Sequence, residues 1–120
     1  MNTNNYVKLI NTSVKLSAVF IELEETLQKI DQSITLSIDI TTNIVGGATY
    51  NIYLDAGNVD KFDLMFIKIA KLTYDPVAEK FYLLLTQNKE KPLYELNFMS
   101  IMIDLVKEAK DIIKAHTKGD

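Results

Sequence analysis

Asp39, Tyr53 and Asp55 are the side chains whose types and spacing come nearest to a chemical site in this sequence. Two carboxylates beside a phenol could share general acid–base work, or offer oxygens to a hard cation. Their meeting depends on one hairpin. Ile34, Leu36, Ile38 and Ile40 alternate with polar residues from Ser33 to Thr41, and Ala48, Tyr50, Ile52 and Leu54 do the same in the next stretch, both with the period of a strand. A two-residue Gly46-Gly47 turn would set apolar side chains against polar ones along the whole pair, because a one-residue slip reverses every side chain. A three-residue loop, Val45-Gly46-Gly47, with Gly47 in the left-handed position, pairs Ile44 with Ala48. That register faces Ile40 with Ile52 and Ile38 with Leu54, and sets Asp39 beside Tyr53 with Asp55 diagonally across from Asp39. A solvated hairpin face accounts for the three better than a reaction centre does, and two acids without a shaped loop hold divalent ions poorly. Asp39, Tyr53 and Asp55 are therefore candidate binding residues, with no catalytic, metal or cofactor site expected.

Other chemistries lack their groups. There is no cysteine, and no serine stands in a Gly-x-Ser-x-Gly turn. The one histidine, His116, falls at the end of the last helical stretch, where a surface position suits it. Gly46-Gly47 lies inside a hairpin rather than between a strand and a phosphate-cradling helix, and Glu22 and Glu25 share a helix face without a following Glu-x-x-His. All 13 basic residues are Lys, so no guanidinium fork exists for phosphate or guanine, and the net charge is -3. That balance argues against a protein built to grip nucleic acid, although Tyr50, Tyr53, Phe66, Tyr74, Phe81, Tyr82 and Tyr94 could supply stacking rings. Tyr53, the most exposed ring in this reading, has carboxylates rather than lysines for neighbours. No apolar run approaches the ~20 residues of a membrane-spanning helix, and Lys8 and Lys15 interrupt any signal-like stretch, so the cytoplasm is the expected compartment.

The elements that would hold these residues belong to one α+β domain spanning residues 1–120. An N-terminal helix carries Leu16, Phe20, Leu23, Leu27 and Ile30 on one face. It starts either near Tyr6, capped by Asn5, or later, capped by Asn11, Thr12 or Ser13. Five antiparallel strands follow as a meander. The third, Phe62 to Tyr74, is ambiguous in period; its aromatic, Ile and Thr content and the ending Asp75-Pro76 favour a strand over a helix. Phe81 to Leu85 and Pro92 to Phe98 complete the sheet. A helix from Met99 to Thr117 buries Phe98, Ile101, Leu105, Ala109 and Ile112.

The third and fourth strands read as apolar on both faces, at Met65, Ile67 and Ile69 and at Phe81, Leu83 and Leu85. A strand apolar on both sides needs cover on both sides, from helices on opposite faces or from a partner. The expectation is a homo-oligomer, a dimer by preference, formed through Met65, Ile67, Ile69, Leu83 and Leu85. The function expected is that of a non-enzymatic binding and assembly module for a protein partner, offering the hairpin edge or the Ser/Thr-rich face of the first strand. The abundance of Asn, Ile and Lys suits an accessory protein of a phage or mobile element. A single-stranded nucleic-acid binder using the sheet aromatics and a small-ligand-binding α+β domain are the alternatives.

Overall fold

A computed structural model describes residues 3–43, 46–57, 60–78, 80–85 and 98–118, with side chains from Ile10 onward. Two helices and a four-stranded antiparallel sheet make an α+β fold: α1 (Thr3–Gln28), β1 (Thr35–Thr42), β2 (Ala48–Asp55), β3 (Ile67–Asp75), β4 (Lys80–Leu85) and α2 (Phe98–Ala115). The strands are ordered β1-β2-β3-β4, each beside its sequence neighbour. Of the expected fifth strand, Pro92 to Asn97 lie outside the described residues, and Phe98 begins α2 instead.

α1 is one uninterrupted helix rather than a short segment followed by a later start. Leu16, Phe20, Leu23 and Leu27 are buried, as their four-and-three spacing predicts. Ile30 is exposed, because the helix has ended at Gln28 and the turn carries Ile30 away from the core. Asp31 governs the exit from that turn. Its carboxylate accepts the Ser33 N–H at 2.9 Å and the Ser33 hydroxyl at 2.6 Å, and meets Lys61 Nζ at 3.1 Å. These donors hold its pKa down to about 2, the Ser33 hydroxyl first, then the Ser33 N–H, then the Lys61 ammonium.

Both helices lie on one face of the sheet. On that face β2 buries Ala48, Tyr50, Ile52 and Leu54, β3 buries Ala70, Leu72 and Tyr74, and β4 buries Phe81, Leu83 and Leu85. From α2, Ile101, Leu105, Ala109 and Ile112 close the core, with Phe98 half-buried against it. Tyr50 is wholly buried, and its hydroxyl is paired with that of Ser13 at 2.8 Å, a polar tip satisfied inside the core. Burial raises the Tyr50 phenol's pKa above its ordinary value.

The first hairpin differs from expectation by two residues. Ile38 faces Ile52 and Ile40 faces Tyr50, so the loop runs from Asn43 to Gly47. Asn43 closes this loop: its N–H donates to the Gly47 carbonyl at 3.0 Å, and its Oδ1 accepts the Gly47 N–H at 2.9 Å. The left-handed glycine is Gly46, at φ 87°, not Gly47. Because the shift is even, the apolar face expected for both strands is kept.

Between β2 and β3 the register shifts at Ile52 and Tyr53, a bulge that buries Ile69 and Ala70 together on the helix side. The third strand begins at Ile67 rather than Phe62. Phe66 adopts φ 48°, a left-handed conformation costly for a bulky aromatic, and it breaks the run. Phe62 and Leu64 are buried ahead of it, with Phe62 bridged to Thr117, while Met65 and Phe66 project into solvent. At the β3–β4 turn the Asp75 carboxylate accepts the N–H groups of Val77 and Ala78 at 2.9 and 3.2 Å.

Candidate functional site

The five residues expected to form an apolar interface do not share a free surface. Ile69, Leu83 and Leu85 are buried beneath the chain's own helices, and Ile67 is half-buried against the same core. Met65 is exposed but precedes β3. Two causes separate them: the bulge turns Ile69 inward, and Phe81, Leu83 and Leu85, spaced by two, fall on a single face. The outward positions of β4 are Lys80, Tyr82 and Leu84, all exposed.

Asp39, Tyr53 and Asp55 do share the face away from the helices, in another arrangement. Asp39 faces Asn51, Ser37 faces Tyr53, and Thr35 faces Asp55. Across the sheet Tyr53 faces Lys68, so its neighbour from β3 is a cation. Lys71 faces Leu84 and Thr73 faces Tyr82 on the same side. One carboxylate of the trio has a local task, since Asp55 Oδ1 accepts the Gly57 N–H at 3.1 Å. Of the rings expected to be available for stacking, Tyr50, Tyr74 and Phe81 are buried, with Tyr74 and Phe81 packed at 5.0 Å between centroids.

His116 is half-buried rather than on the surface as expected. Its Nδ1 lies 2.9 Å from the Ile112 carbonyl, and its backbone carbonyl accepts the Asp63 N–H at 2.8 Å. The second of these bonds fastens the end of α2 to the segment before β3. Among the described residues no group of three or more His, Cys, Asp or Glu is placed to hold a metal ion. No helix among them is long and apolar enough to cross a membrane. Surface depressions lie at the end of α1, around Glu25, Lys29 and Asp31, and on α2, around Met102, Val106 and Lys110. Neither is enclosed between sheet and helices.

A further feature is the free side of β1. Among the described residues this strand, like β4 at the other end of the sheet, has a neighbour on one side only. In an antiparallel pair the backbone groups of alternate residues point toward the partner strand and away from it. Leu36 fixes the parity: its N–H donates to the Glu24 carboxylate of α1 at 2.8 Å, away from β2. Asn43, an odd position, bonds across the hairpin to Gly47. The N–H and C=O groups of Ile38, Ile40 and Thr42 therefore point to the open edge. Charged side chains, proline and bulges are the usual protections of such an edge. β1 carries only Asp39 among these, and Glu24 covers one end. Sequence reasoning located β1 and its polar face but could not find this device, because the Glu24–Leu36 contact joins residues 12 apart whose meeting depends on how α1 packs.

No family model matches the sequence, and no curated protein and no solved structure matches it either.

Proposed function

We propose that the protein is a non-enzymatic binding module that takes an extended segment of a protein partner onto the open edge of β1. The observation that carries this reading is the run Ile38–Thr42, whose outward backbone groups form a template for one more strand. Backbone hydrogen bonds would supply affinity in such a complex, and the exposed Ile40 would supply an apolar contact on the helix side. The composition supports a role without covalent chemistry: there is no cysteine, and the single imidazole has Nδ1 engaged with its own helix.

A second reading has one observation in its favour. Lys68 opposite Tyr53, with Lys71 and Tyr82 nearby on the same sheet face, is a pairing that a single-stranded nucleic acid could use. One titration series separates the two. End-capped heptapeptides of alternating β-branched residues, selected from a displayed library, should slow amide exchange at Ile38, Ile40 and Thr42 while leaving the outer face unperturbed. A labelled oligonucleotide whose binding weakens as salt rises, with resonance shifts at Tyr53 and Tyr82, would favour the second reading. Selected peptides that leave those three amides exchanging freely would remove the first.

A further inference from the structure

The edge reading leaves the partner's identity open, and β1 itself supplies a candidate. We infer that the strand accepted at this edge is β1 of a second copy, in a two-fold antiparallel pairing centred on Ile40. This rests on the edge reading and deepens it.

Three symmetric registers pair both Ile38 and Ile40 within β1, and the structure distinguishes them. Centring the axis on Ile38 would pair Leu36 with Ile40 of the other copy, but the Leu36 N–H is already bonded to Glu24. Centring it on Asp39 would set that carboxylate directly against itself, and like charges facing across strands are destabilising. Centring it on Ile40 uses only the uncommitted groups: Ile40 faces its own copy, and Ile38 faces Thr42. Each such pair exchanges both N–H···O bonds. Asp39 then faces Thr41 at the closer, non-hydrogen-bonded spacing, where a hydroxyl can donate to the carboxylate. On the helix side, Ile40, 52% exposed in the single chain, is covered by its counterpart.

A second observation points the same way. Ile10, Val14, Ser17 and Ile21 are exposed along α1 at spacings of four, three and four, and three residues further on stands Glu24. That is the spacing of a helix–helix seam. Glu24 reaches the β1 edge, so the seam runs along the side of α1 adjoining that edge rather than the side facing α2. A two-fold axis through Ile40, perpendicular to the sheet, would bring α1 alongside its copy in antiparallel orientation. A five-residue strand pair is small beside the roughly 1,200 Å² or more of total buried surface that stable interfaces need, and the α1 seam adds apolar area to it. The assembly would be a continuous sheet with all helices on one face.

The decisive measurement is mass in solution, by light scattering or sedimentation, combined with cysteine cross-linking in a chain that has no cysteine of its own. The wild type should show twice the chain mass at about 100 µM, a concentration well above a micromolar dissociation constant. Ile40→Lys should raise the dissociation constant about tenfold or more while circular dichroism stays unchanged. Ile40→Cys should form a disulfide-linked dimer under mild oxidation, because facing residues fall within disulfide reach. Ile38→Cys should not, since Ile38 faces Thr42 of the other copy. A wild type of single-chain mass would overturn the inference and leave the edge free for a different partner. A dimer in which the Ile38→Cys variant cross-links and the Ile40→Cys variant does not would overturn it as well. Amides at Ile38, Ile40 and Thr42 already protected in dilute single chains would overturn both this pairing and the edge reading beneath it.

Discussion

β1 and β2 have nearly the same sequence pattern and very different surroundings. Leu36, Ile38 and Ile40 alternate with polar residues as regularly as Tyr50, Ile52 and Leu54 do, and the two sets face each other. Yet the β2 residues are fully buried, while Leu36 and Ile38 are half-buried and Ile40 is exposed. Alternation decides which face a side chain takes; the number of neighbouring strands and the reach of the helices decide how far it is buried. β2 has a strand on each side and helices above it. Among the described residues β1 has one strand, the end of α1, and a carboxylate capping one amide.

The sharpest way to break this comparison is to make the same truncation on both sides of one pair. Ile52 and Ile38 face each other. Ile52→Ala should cost about 2–5 kcal/mol, the range for emptying a packed site. Ile38→Ala should cost about 1 kcal/mol, since solvent already reaches that side chain and little cavity remains. Denaturant unfolding at low micromolar protein, where self-association is minimal, measures both. Equal losses would mean that β1 is as well covered as β2, and the open edge would lose its support.

The loop joining the two strands offers the next largest effect. A Cβ on Gly47 would lie 2.7 Å from Asn43 Nδ2 and 3.2 Å from the Tyr74 carbonyl, so the side chain that closes the loop would have to move. Gly47→Val should cost about 1–3 kcal/mol through this crowding. Gly57→Ala is a useful contrast: nothing lies within 4 Å of its added Cβ, and only its φ of 63° resists substitution. If Gly47→Val unfolds at the wild-type denaturant midpoint, Asn43 is not packed against that glycine.

Gly47 also marks where the sequence stopped being informative. Both strands, their apolar faces and the presence of a glycine turn were legible, because period-two alternation is a local signal. The register was not, since a three-residue and a five-residue loop keep the same faces, and the Asn43–Gly47 bonds that select the longer one are a detail of geometry. Ile69 shows a different limit. Its expected exposure on a second apolar face assumed an unbroken strand, and a bulge, which depends on the partner strand, turned it inward. For the candidate trio, the shared face of Asp39, Tyr53 and Asp55 followed from parity alone. Lys68 opposite Tyr53 required the β2–β3 register, to which no sequence signal pointed.

The smallest effect at neutral pH concerns how β1 is entered. β2 receives its chain from the hairpin, whereas β1 follows a turn held by Asp31, whose carboxylate accepts from Ser33 and meets Lys61. Its pKa is about 2 in the folded chain against an ordinary 3.8, so the ionised form is the one the fold favours. The stabilisation is fully present above pH 3.8 and is lost as pH falls through 2. Asn in its place keeps an acceptor for Ser33 but cannot titrate. The stability difference between wild type and Asp31→Asn should therefore be constant from neutral pH down to about 4, then shrink progressively toward pH 2. Urea unfolding across that window reads it directly, and a difference independent of pH would mean that the charge on Asp31 has no part in holding the turn. Because Lys61 adds an exposed ion pair to the same carboxylate, Lys61→Met should lower the neutral-pH stability only slightly and leave most of the acid dependence in place. The Ser33 bonds, which act first on the pKa, would then be the main hold on the turn that leads from α1 into the strand whose far side, among the described residues, stands open.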